Sequence, residues 1–157
     1  MTYNPTGQAE RGWNIQDAAD AVGGLIESNR DASHALRMMV DILEGSPIVP
    51  ELKERAETRD GFASKLAVLM ARYGQAGEIP DGGSFTGTRY GWRLHIAAAM
   101  KKDDQAAVLE VAAKGNEAMQ KQYDKALDRQ LPDDVRRVII SQLNEIEATA
   151  EWIQSKL

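Results

Sequence analysis

The chain contains no cysteine, which excludes disulfides, zinc–thiolate sites and thiol nucleophiles. Histidine is nearly as scarce, with two residues, so any centre that needs paired imidazoles is short of ligands. No stretch approaches the ~18 consecutive apolar residues of a membrane span, and residues 1–13 lack the apolar core of a signal peptide, so a soluble cytoplasmic protein is expected. An excess of one sign of charge is also missing. The 19 basic and 24 acidic residues are mixed along the chain, for a net charge of -5, and no basic patch is available for nucleic-acid phosphates. No serine, histidine and acid stand in a triad-like arrangement. The run Gly82-Gly83-Ser84-Phe85-Thr86-Gly87 lacks the lysine and the spacing of a phosphate loop, and reads as punctuation in a connection.

What is present is helical periodicity. The 157 residues are enough for one domain with its own core. Residues 1–13 have two glycines, a proline and no apolar face, and are expected to form a flexible tail ahead of a domain over 14–157. From Asn14, an N-cap with Asp17 three residues on, apolar side chains recur at Ala18, Val22, Leu25, Ala32, Leu36 and Met39. Gly45-Ser46-Pro47 stops that helix, and Pro50 suits the first turn of the next. The second stripe runs through Leu52, Ala56, Ala63, Leu66 and Met70 and closes near Gly74, with Arg59 on the same inward line.

Residues 77–87 are too rich in glycine for a regular helix, and 88–100 reads as a short helix that is apolar all round. After an aspartate cap at Asp104, a third long helix carries Leu109, Ala112, Ala113, Asn116, Met119, Tyr123 and Ala126 inward. Leu131-Pro132-Asp133-Asp134 is a compact turn, and the last helix places Val135, Ile139, Leu143, Ile146, Ala150, Ile153 and Leu157 on one stripe. Two short connections flank one of about thirty residues, long enough to run the length of a bundle. The predicted fold is therefore all-α: a ferritin-like four-helix bundle with a long crossover, containing a short extra helix, between helices 2 and 3.

A ferritin-like di-iron centre draws inward glutamates from two helices and a Glu-x-x-His pair from each of the others. His95 falls in the crossover without such a pair, and His34, three residues after Asp31, falls nearly opposite Leu36. Glu110, Lys114, Glu117, Lys121, Lys125 and Asp128 form a mixed-sign line that reads as an exposed, salt-bridged stripe. Glu54, Glu57 and Asp60, and Glu145, Glu147 and Glu151, lie beside the apolar stripes rather than on them. Arg59 either pairs with a carboxylate such as Asp31 or Glu117 at mid-bundle or extends to its edge. On this reading there are no catalytic residues, no cofactor-binding residues, no metal ligands and no cofactor.

Leu25-Ile-Glu-Ser28, Arg59 with Phe62-Ala63 and Leu66, the pattern Gly77-Glu-x-Pro-x-x-Gly-Ser84 with Trp92, and Lys114-Gly115-Asn116-Glu117 with Tyr123 form a further set of motifs. In this order they resemble a bacterial ferritin-like four-helix-bundle family known as a domain of unknown function, over 15–157. Typical members of that family carry Glu-Arg-Gly-Glu-Asp where this chain reads Ala113-Lys114-Gly115-Asn116-Glu117, and often a histidine near Ala150. The resemblance thus implies the fold and a homodimer, with the family's metal ligands replaced at Ala113, Asn116 and Ala150.

The function expected is a non-enzymatic, metal-free interaction or stress-associated module with an unidentified protein partner and no nucleic-acid or membrane partner. Val108, Val111, Gly115 and Ala118 offer a second face for the crossover or a partner. The alternative is a di-iron or manganese oxidoreductase, or an iron-handling protein, with a remodelled site from His34, Glu57, Glu117 and Glu147. A third possibility is a central ligand cavity left by Ala32, Ala63, Ala113 and Ala150, which tighter helix packing would close.

Overall fold

The computed structural model describes residues 14–74 and 105–157. The predicted tail, the short crossover helix over 88–100 and the Asp104 cap lie outside them. The described elements are all α-helices: α1 (Ile15–Ile42), α2 (Val49–Ala71), α3 (Gln105–Leu127) and α4 (Asp133–Lys156).

The helix ends follow local chemistry. Asn14 takes an extended backbone, and its side-chain oxygen accepts the Asp17 N–H at 3.1 Å, satisfying one orphan donor of α1. Gly45 at φ 85 and Gly74 at φ 76 supply the left-handed residues that follow α1 and α2, a conformation other side chains resist. Pro50 sits in the first turn of α2, where its missing N–H costs no hydrogen bond. Beyond α3, Arg136 reaches back from α4 to donate to the carbonyls of Leu127 and Arg129, at 2.8 and 3.0 Å.

Each helix carries a buried line of residues whose spacing alternates between three and four, and α1 is buried on its other faces as well, at Ile26, Glu27, Asp31 and Ala35. On α1 the line is Ala18, Val22, Leu25, Asn29, Ala32, Leu36 and Met39; on α2 it is Leu52, Ala56, Arg59, Ala63, Leu66 and Met70. On α3 it is Leu109, Ala112, Asn116, Met119, Tyr123 and Ala126, and on α4 it is Val135, Ile139, Gln142, Ile146, Thr149 and Ile153. This spacing keeps a seam facing its neighbours in nearly antiparallel bundles. It also corrects two expectations. Ala113 and Ala150 are only half-buried, and the inward positions beside them belong to Ala112 and Thr149. Val108 is core rather than part of a second face, while Ala118 and Leu157 are exposed.

Cross-helix bonds fix the directions. Asn29 meets Tyr123, Ser46 meets Gln105 at 2.7 Å, and Asp17 meets Arg129, so α1 and α3 are antiparallel. Arg55 meets Thr149 and Tyr73 meets Asp134, so α2 and α4 are antiparallel as well. The α1–α2 and α3–α4 hairpins therefore make α2 and α3 point the same way. The chain leaves α2 at one end of the bundle and enters α3 at the other.

Candidate functional site

The core falls into two apolar clusters along the bundle. One is built around Val22, Leu66, Tyr123 and Ile139, the other around Met39, Leu52, Leu109 and Ile153. Between and beside them lie the buried polar members of the four seams: Asn29, Arg59, Asn116, Gln142 and Thr149. A buried polar group must find a hydrogen bond or lose several kcal/mol, which makes each partner here informative.

In the tier towards the first cluster, Asn29 Nδ2 donates to the Tyr123 hydroxyl at 2.7 Å and to Leu25 O at 2.8 Å. The phenol donates onward to Gln142 Oε1 at 2.7 Å, and Gln142 Nε2 reaches Phe62 O at 3.3 Å. Burial pushes the Tyr123 phenol up to about 12, against the pull of the Asn29 bond and of the Arg59 charge. At neutral pH it is a proton donor.

The next tier is built on Arg59, a residue 4% exposed on the inward line of α2. Its Nη2 donates to Asn116 Oδ1 at 2.7 Å, and Asn116 Nδ2 donates to Ile146 O at 2.9 Å. The partner of this guanidinium is thus a neutral amide. Glu117, offered by sequence as a carboxylate partner, is exposed and pairs with Lys121 at 3.3 Å. Burial pushes the guanidinium down to about 10, with the Arg55 charge adding and Tyr123 and Glu145 opposing, so it remains a cation at neutral pH. Its Nη1 has no hydrogen-bond partner among the described residues.

Towards solvent the tier opens into a cleft of about 300 Å³ between α2 and α4. Arg59 and Phe62 line it, with Arg55, Thr149 and Trp152 beside them. Arg55 stacks over the Trp152 ring at 4.4 Å and donates to Thr149 Oγ1 at 2.9 Å. Glu51, Glu54 and Glu145 complete the wall and oppose the lowering that burial imposes on the Arg55 guanidinium. On the inner side of Arg59, beside Ala32, Ala112 and Asn116, a space of only about 20 Å³ remains. That is room for one water at most. Of the four alanines expected to leave a cavity, Ala32 alone lines it.

His34, Glu57, Glu117 and Glu147 are all exposed, on four different helices, and are not brought together. Among the described residues no three histidine, aspartate or glutamate side chains group as a metal ion would need. The exposed line from Glu110 to Asp128 is as expected. Two carboxylates are nevertheless buried: Glu27 and Asp31, one turn apart on the side of α1 away from its seam, and neither is without a partner. Asn29, Arg55, Gln142, Thr149 and Trp152 are further site residues that the apolar stripes of the sequence do not single out. The signal was present for Asn29, Gln142 and Thr149, since each continues the alternating seam of its helix.

Among the described residues no helix is long and apolar enough to cross a membrane. No curated protein and no solved structure matches the chain. The model of a family described as a domain of unknown function (DUF2383) matches residues 17–129, from the first turn of α1 to just past α3. A match that takes in three of the four described helices and well over half of the chain makes the protein a member of that family.

Proposed function

We propose that this protein is a ferritin-like bundle of bacterial type that works without a metal centre, as a non-enzymatic interaction or stress-associated module and as a homodimer. The observation that carries the reading is the middle of the bundle. Where a di-iron bundle needs inward carboxylates and histidines, the seams offer a guanidinium, three amides, a phenol and a hydroxyl. A buried cation at Arg59 opposes a second cation beside it, and the nearby acceptors Asn116 Oδ1 and Gln142 Oε1 are already engaged. The order of helix directions, with one long connection between α2 and α3, supports the ferritin-like assignment. The homodimer rests on the family resemblance, together with half-buried Val111 and Gly115 and exposed Ala118 on one side of α3.

Elemental analysis of protein purified without chelator, combined with light scattering at micromolar concentration, tests both parts. The expected result is no stoichiometric transition metal and a mass of twice the chain. Iron or manganese at one or two per chain, lost on Glu117→Ala, would replace this reading with that of a metal-dependent oxidoreductase or iron-handling protein. A monomer mass would remove the dimer.

A further inference from the structure

The cleft between α2 and α4 leaves unsatisfied polar groups of both signs. Among the described residues, Arg59 Nη1, Arg55 Nε and Trp152 Nε1 are buried donors without hydrogen-bond partners, and Glu51 Oε2 is a buried acceptor without one; all four residues line the same space. Leaving any of these groups dry and unpaired costs free energy, and for the charged ones the cost is greatest. Arg59 is the deepest of them, and its one hydrogen bond among the described residues is to a neutral amide. Glu54 and Glu145 stand at the exposed rim, on facing helices. The charge pattern is therefore graded from a buried cation inside, answered by an amide, to carboxylates around Arg55 nearer the mouth. A simple anion would have to sit close to three glutamates to reach Arg59, and a simple cation would leave Arg59 unanswered.

We infer that this cleft binds a small zwitterion, with its phosphate or carboxylate directed inward to Arg59 and its ammonium held by Glu51, Glu54 and Glu145. A space of about 300 Å³ lies at the small end of ligand pockets and suits a metabolite-sized molecule. Trp152 and Phe62, each with a guanidinium over one ring face, line the cleft and leave their remaining ring surface as apolar wall for the link between the two charges. Oxyanion oxygens match the planar donors of a guanidinium, and an arginine answers them better than a lysine would. The inference stands independently of the metal-free reading, because none of these residues belongs to the proposed metal alternative.

Isothermal titration of the full chain with O-phosphoethanolamine, beside inorganic phosphate and ethylamine as its single-charge halves, tests it. The zwitterion is expected to saturate with a Kd of ~1 mM or tighter, with neither half binding at ~10 mM. Arg59→Met should weaken the zwitterion roughly 10- to 100-fold, the loss expected for a charge-assisted hydrogen bond. Glu145→Gln changes an exposed side chain, so its folding is secure; it should weaken the zwitterion and admit phosphate. Silence from O-phosphoethanolamine at ~10 mM would leave water as the content of the cleft and overturn the site. Unchanged affinity in Glu145→Gln, or phosphate binding as tightly as the zwitterion to the unaltered chain, would overturn the assignment of ligand class.

Discussion

Tyr123 accepts one hydrogen bond and donates another at the centre of the bundle, joining α1, α3 and α4 through a single oxygen. Removing that oxygen leaves Gln142 Oε1 buried without its donor. Tyr123→Phe is accordingly expected to cost roughly 1 to 3 kcal/mol in urea unfolding at neutral pH. The cost should also depend on pH. The phenol ionises at about 12 in the fold against an ordinary 10.0, so its stabilising contribution is complete below pH 10 and is lost as pH rises through the folded value. Burial is the main cause, and Arg59, the facing cation, opposes it. The gap between unaltered protein and Tyr123→Phe should therefore narrow above pH 10, by up to roughly 2 to 3 kcal/mol. A gap that stays constant to pH ~12 would contradict the buried, neutral phenol.

On the scale of one helix, α3 shows how much was legible in the sequence. Its length, its inward Asn116, Met119 and Tyr123 and its exposed charged line all follow from periodicity, because apolar and small residues recur strongly there. The register between Ala112 and Ala113 does not, since two adjacent alanines carry no hydrophobic contrast and packing alone decides between them. The same ambiguity set Ala150 against Thr149 on α4, where an apolar criterion favoured the alanine and the alternating seam chose the threonine. The polar tiers were hidden for a related reason: Asn29 and Gln142 interrupt an apolar count, yet they sit where the seam requires a buried residue. Ala112→Glu should cost several kcal/mol by burying an unpaired carboxylate, whereas Ala113→Glu should cost about 1 kcal/mol or less. Thermal midpoints of the two variants would check this, and equal losses would contradict the register.

The start of α1 is tied to the turn between α3 and α4 by a small charged clamp. Arg129 Nε donates to Asp17 Oδ1 at 2.6 Å, and the Gln130 N–H donates to Oδ2 at 3.2 Å. The Arg129 hydrogen bond, with help from the Gln130 N–H, holds the Asp17 carboxyl below its ordinary 3.8 despite some desolvation. A carboxyl lowered in the fold contributes stability above its unfolded value and loses it as pH falls through the folded one. Asp17→Asn should thus destabilise at pH 7 by less than about 1 kcal/mol, because the pair is partly exposed and screened. The difference from the unaltered chain should fade below pH ~4 and shrink with added salt.

For the molecule as a whole, the decisive property is the parallel course of α2 and α3. An up-and-down bundle with four alternating directions would place the start of α3 beside the end of α2, and a tight turn would suffice. Here the start of α3 lies beside the end of α1, where Ser46 Oγ donates to Gln105 Oε1 at 2.7 Å. The linking residues 75–104 have ample reach, since roughly thirty residues extend to ~100 Å while a 23-residue helix spans ~35 Å. The absence of cysteine makes this arrangement directly testable. A Ser46→Cys, Gln105→Cys double variant treated with a short bis-maleimide should give an intramolecular crosslink in high yield, because those side chains meet across the same end of the bundle. A Ser46→Cys, Leu127→Cys pair should stay uncrosslinked, because Leu127 belongs to the opposite end, near Asp17 and Arg129. Mapping the linked peptides by mass spectrometry distinguishes the two bundles: the reverse pattern is what four alternating directions would produce, and it would remove the geometry on which both the polar tiers and the α2–α4 cleft depend.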